Sequence, residues 1–79
     1  MNSLTAIKHG VHNLYKTNPH IHMNVSISNA KIHLKKHPVT ITAVYPNIFL
    51  VEDQTGTNFT VQYVELMMGH VEIVELMQK

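Results

Sequence analysis

The amino-acid sequence predicts a mainly β fold, a five-stranded antiparallel barrel or curled sheet preceded by one N-terminal α-helix. Three observations carry this. Apolar residues recur at helical spacing only near the start of the chain; from His22 onward the period changes to two. Short alternating runs are then separated by turn-forming residues. One run, Ile48 to Val51, is apolar on both faces, so a flat sheet with both faces in water is excluded. With 79 residues the chain makes one domain, spanning 1–79, and its apolar and charged fractions of 44% and 14% belong to a globular protein rather than a disordered one.

Residues 3–16 are expected to form the helix. Ser3 can accept the N-cap hydrogen bond, and Leu4, Ile7, Val11 and Leu14 form one apolar stripe. Gly10 within it costs about 1 kcal/mol relative to alanine, which suggests that another segment packs closely there. Lys16 suits the C-terminal end of the helix dipole, and Asn18-Pro19 stops the helix. About four turns are marginal alone, so the stripe needs a sheet to cover.

The strands are expected within 22–76. From His22, Met23, Val25 and Ile27 alternate with Asn24, Ser26 and Ser28, and Ser28-Asn29-Ala30 reads as the first turn. Ile32 to Val44 follows, with Val39, Ile41 and Ala43 on one face and Pro38 confining its start to an edge or bulge. After Tyr45-Pro46-Asn47 comes Ile48 to Glu52, expected to be the central strand. Asp53-Gln54-Thr55-Gly56 turns the chain through a glycine able to take positive φ. Asn58 to Tyr63 returns, Glu65 to Gly69 reads as a helical turn, and His70 to Leu76 is the last strand. Short strands with these turns place the domain among the SH3-like, Sm-like and OB-like barrels.

Charge is divided along the chain. Lys8, Lys16, Lys31, Lys35 and Lys36 fall in the first 40 residues with no acid, whereas Glu52, Asp53, Glu65, Glu72 and Glu75 face only Lys79 in the remainder. An anionic partner for the first half, or self-association of unlike surfaces, would follow; so would simple mixing of the charges on one folded surface. There is no cysteine, which excludes disulfides and thiolate metal sites and suits a reducing, cytoplasmic setting. No apolar run approaches the ~20 residues of a membrane span, so no membrane association is expected.

Val44-Tyr45-Pro46-Asn47-Ile48-Phe49-Leu50-Val51-Glu52, a polar turn, and then Phe59 to Ile73 with its Tyr63-Val64-Glu65-Leu66-Met67 and Val71-Glu72-Ile73 elements together resemble the Veg protein family of Gram-positive bacteria. The helix pattern Ser3-Leu4-x-x-Ile7-Lys8 fits as well. The resemblance implies a small SH3-like barrel, no catalysis, and a role in regulating gene expression. It departs in the first hairpin, where a Gly-Arg-Arg-Lys-like run of the family stands here as Asn29-Ala30-Lys31-Ile32-His33; the chain has no arginine. Lysine and histidine in that place make weaker, less oriented phosphate contacts than a guanidinium.

Lys31, His33, Lys35 and His37 are spaced by two, so in an extended segment all four project to one side and, with Lys36, form a basic ribbon able to follow the phosphates of DNA or RNA. Tyr45 or Tyr63 could supply a stacking ring. The plainer reading is a solvated hairpin whose lysines discourage edge pairing. Seven histidines are an excess, and His9 with His12, and His20 with His22, have ligand-compatible spacing. The first 40 residues hold no carboxylate to orient such imidazoles, so neither a metal nor another cofactor is expected. Ser3, Ser26 and Ser28 sit in cap and turn contexts with no base in reach, and no phosphate-cradling glycine loop occurs; an enzyme is not expected. The alternative to nucleic-acid binding is a protein-interaction adaptor or homodimer docking through a strand edge, with Glu72, Val74 and Leu76 as one candidate edge.

Overall fold

The computed structural model describes residues 3–27 and 32–77. The Ser28-Asn29-Ala30 turn and Lys31 lie outside the described residues, as does the side chain of Ser3 expected to cap the first helix. Helix α1 runs Ser3–Thr17, followed by strands β1 His20–Ile27, β2 Ile32–Val44, β3 Ile48–Asp53 and β4 Asn58–Gln62. A short helix α2, Tyr63–Met68, leads to β5 Val71–Ile73 and a last helical turn α3, Val74–Met77. The five strands form one antiparallel sheet in the order β4-β3-β2-β1-β5, curled into a half-barrel.

Strand β2, not β3, is therefore the central strand. β3 is interior, and its Phe49 and Val51 are fully buried while Ile48 and Leu50 are half-buried. Its two apolar faces reflect a core on one side and partial cover on the other. Pro38 is accommodated because the first half of β2 pairs with β1 alone; the β2–β3 ladder starts at Val39, opposite Asp53.

Two bulges bend the long β2 strand. Met23 faces His37 and Val25 faces Leu34, so Asn24 opposes both Lys35 and Lys36. Lys36 takes the left-handed conformation at φ 47°, and its N–H donates to Asn24 Oδ1 at 2.8 Å. Further along, Ile41 pairs with Val51 and Ala43 with Leu50, leaving Thr42 as the extra residue. Each bulge shifts the alternation by one. Ala43 therefore leaves the inner face shared by Val39 and Ile41, and Val44, opposite buried Phe49, takes its place.

The inner face is the core. Ile21, Met23, Val39, Ile41, Phe49, Val51, Val61, Val71 and Ile73 are buried there with Tyr63 of α2 and Val11 of α1. The apolar stripe of α1 covers one end of the half-barrel, with Leu4, Ile7 and Leu14 packed around fully buried Val11. Gly10 is where the last segment docks: a Cβ there would lie 2.8 Å from Leu76 Cδ2.

The last strand is shorter than expected. It ends at Ile73, and Val74–Met77 turn into α3. Glu75 accounts for this: its Oε1 accepts the His22 backbone N–H at 2.9 Å, occupying a donor of the β1 edge, while Leu76 seats on Gly10. Glu72, Val74 and Leu76 consequently do not form one extended edge.

Candidate functional site

The bulge decides the fate of the basic ribbon. His33 and Lys35 remain exposed on the outer face with Lys36, around a shallow depression also lined by Asn24, Ser26 and Glu72. His37 comes after the bulge and turns to the other side. Its Nε2 lies 3.4 Å from Asp53 Oδ2, and its ring borders the interior of the half-barrel. The structure thus brings together His33, Lys35 and Lys36, separates His37 from them, and leaves Lys31 outside the described residues. A strict period of two held on either side of Lys36 but not through it.

Acids also reach this surface. Asn24 Nδ2 donates to Glu72 Oε1 at 3.4 Å, so a carboxylate from β5 sits beside the lysine-bearing bulge. Elsewhere, His22 Nδ1 and Glu75 Oε2 are 2.7 Å apart and His70 Nδ1 and Glu65 Oε2 are 3.3 Å apart. Burial works against ionisation of the Glu75 carboxyl, yet the His22 ring and backbone N–H outweigh it and hold the pKa below the usual carboxylate value. Charge separated in sequence is largely interleaved in space. Of the histidine pairs weighed as ligands, His20 instead meets Thr40 Oγ1 at 3.0 Å and His12 meets the Tyr63 hydroxyl at 3.2 Å. Among the described residues no group of three or more His, Asp or Glu side chains converges as a metal site.

The two candidate stacking rings part company. Tyr45 is 49% exposed in the β2–β3 turn, whereas Tyr63 is 1% exposed and packs at 5.3 Å, ring centre to ring centre, against Phe49. Burial raises the Tyr63 phenol pKa, with a backbone hydrogen bond at Tyr45 opposing it.

A second feature arises where the half-barrel stays open. β4 and β5 are the two edges of the sheet, and between them lies a groove of about 460 Å³. Met23, Val25, Leu34, Phe59, Val61 and Val71 make its apolar wall, and His37, Gln62, Glu65 and His70 its polar margin. Phe59 pairs with Val51 and so points inward, yet it is 36% exposed because nothing in the described chain lies over it. The β4 edge beside it carries no charge, no proline and no bulge, the usual guards against strand addition. Phe59, Val61 and Tyr63 alternate in the sequence as one face of a strand does; only the topology shows that the side of the barrel beside Phe59 is open.

No family model, no curated protein and no solved structure matches this chain. Assignment of function therefore rests on the geometry and on the resemblance in sequence.

Proposed function

We propose that the protein is a non-enzymatic, Veg-like regulatory module of gene expression that binds nucleic acid weakly, largely through phosphates. The observation that carries this reading is the exposed cluster of His33, Lys35 and Lys36 on the outer face, whose backbone is fixed at the bulge by the Asn24 side chain. A point-charge contact by lysine needs no planar fork, and a held backbone lowers the ordering cost of binding. Four meandering antiparallel strands with a fifth returning beside the first, after a helical turn, support an SH3-like or Sm-like barrel as the finer description. The titratable groups also favour binding over chemistry, since His22, His37 and His70 each face a carboxylate, and His20, which meets the Thr40 hydroxyl at 3.0 Å, has no carboxylate among its described hydrogen-bond partners to orient it as a base. Cytoplasmic location belongs to the same proposal.

The test is fluorescence anisotropy with labelled double-stranded DNA and single-stranded RNA across a salt series. Binding that weakens log-linearly with salt is the expected result, with a slope of about −0.9 per phosphate contact on duplex DNA. Absence of binding to either probe at low salt ends the reading.

The open groove favours a second reading, a protein-interaction adaptor or homodimer. An extended segment of a partner would add to the uncharged β4 edge and lay alternate apolar side chains over Phe59 and Val61. This reading predicts that Thr60→Pro, which removes a donor from that edge, abolishes association seen by light scattering without altering any nucleic-acid affinity.

A further inference from the structure

We propose that one flank of α1, carrying half-buried Lys8 and exposed His9, His12 and Lys16, is the main surface that meets the nucleic-acid backbone. The inference rests on the nucleic-acid reading above and moves its centre from the β2 bulge to the helix.

Helical geometry assembles this flank. Lys8, His12 and Lys16 follow one another at intervals of four, each about 40° further around the axis, with His9 beside them. All four line a single shallow depression, together only with Thr5 and Asn13. The stripe from Lys8 to Lys16 is about 12 Å long. That length matches the axial rise of about three to four phosphates on one DNA strand, at roughly 3.4 Å each.

The electrostatic surroundings differ from those at β2. α1 has no acidic residue, and no carboxylate lines the depression. Among the described residues the histidine–carboxylate pairs involve His22, His37 and His70, none of them from α1. Acid-bearing α3 docks at Gly10, which lies about 200° around the helix from Lys8, on the opposite flank. At the β2 bulge, in contrast, Glu72 lines the same depression as Lys35 and Lys36. A polyanion entering this depression meets positive charge and hydrogen-bond donors, with no acid among the residues that line it.

The flank is also held in place. His12 Nε2 and the Tyr63 hydroxyl are 3.2 Å apart, and the Lys8 ammonium lies 5.8 Å from the centre of the buried Tyr63 ring. Lys8 and His12, at the base of the stripe, are therefore tied to the core before the partner arrives.

The experiment measures anisotropy of a labelled DNA duplex against the full chain, between roughly 50 and 200 mM salt. Three proteins are compared: the unaltered chain, the Lys8→Gln/Lys16→Gln variant and the Lys35→Gln/Lys36→Gln variant. Circular dichroism establishes that each is folded, and Lys16→Gln alone serves if the double helix variant is not, because Lys16 is exposed at the helix end. Two lost phosphate contacts lower the magnitude of the salt slope by about two, so the affinity change over that salt range shrinks on the order of tenfold; the single variant gives a change of about one. That loss in the α1 variant, larger than in the β2 variant, is the expected result. An unchanged slope in the α1 variant, with the slope lost in the β2 variant, overturns the helix surface and leaves nucleic-acid binding standing. No binding of the unaltered chain at low salt overturns both. Binding to vesicles containing phosphatidylserine but not to the duplex also overturns the proposal, since the helix would then be a membrane-surface element.

Discussion

At the scale of single residues, Asp53 does more than close a turn. Its Oδ1 accepts the Thr55 hydroxyl at 2.7 Å and the backbone N–H groups of Thr55 and Thr57 at 2.9 and 3.0 Å. These contacts hold the chain through Gly56, whose φ of 87° a side chain would strain. The Thr55 hydroxyl is the largest influence on the carboxyl; burial opposes it, and the Thr57 N–H, His37 and the Thr55 N–H add to it, so that the pKa falls to about 2. A folded-state pKa below the unfolded value contributes stability above about pH 4, where the unfolded carboxyl is ionised too, and that contribution disappears as pH falls toward 2. Denaturant titrations between about pH 4 and pH 2 should therefore show falling stability in the parent and a visibly flatter dependence in Asp53→Asn. Equal slopes would mean that the turn does not need the ionised carboxylate.

Among the elements, β2 shows how a local irregularity sets the outward face of a strand. A non-glycine residue in the left-handed region costs roughly 1–2 kcal/mol relative to its preferred conformation, and Lys36 bears that cost where two residues oppose Asn24. Lys36→Gly should raise stability by about 1 kcal/mol, while β-branched Lys36→Val should lower it, both read as shifts in the chemical denaturation midpoint. If both variants destabilise equally, side-chain contacts of Lys36, not its backbone, are what matter. The same element explains the limits of periodicity. Lys35 and His33 were legible as outward-facing, but His37 was not, because an inserted residue reverses every side chain after it. The stripe of α1, by contrast, needed no such correction. Its apolar positions cover the core as the spacing implied, and the cationic flank lay unread between them although it follows from the same 100° step.

For the molecule as a whole, the open seam makes two phenylalanines unequal. Phe49 is fully buried and touches Tyr63, while Phe59 faces the same interior but borders the groove. Phe49→Ala should cost about 3–5 kcal/mol, which in a domain this small threatens folding itself. Phe59→Ala should cost distinctly less, because part of its surface already meets solvent. Comparable losses in thermal unfolding would show that the groove is closed in solution.

Helix, four of the strand positions and the Asp53–Gly56 turn follow from short-range patterns, since a period of 3.6 or 2 and a turn residue act over only a few neighbours. The sequence by itself thus determined which segments are helical or extended, apart from Val74–Met77, and which residues could serve as core. The tertiary structure decided their order and orientation. β2 became central because both β1 and β3 pair with it; His37 turned away from Lys35 because Asn24 accepts two residues across the ladder; and Val74–Met77 left the sheet because Glu75 satisfies the His22 N–H while Leu76 fills the space over Gly10. These outcomes depend on partners up to 66 positions apart, as between Gly10 and Leu76. Bringing such distant segments together satisfies backbone donors and buries apolar surface, interactions that no local pattern contains.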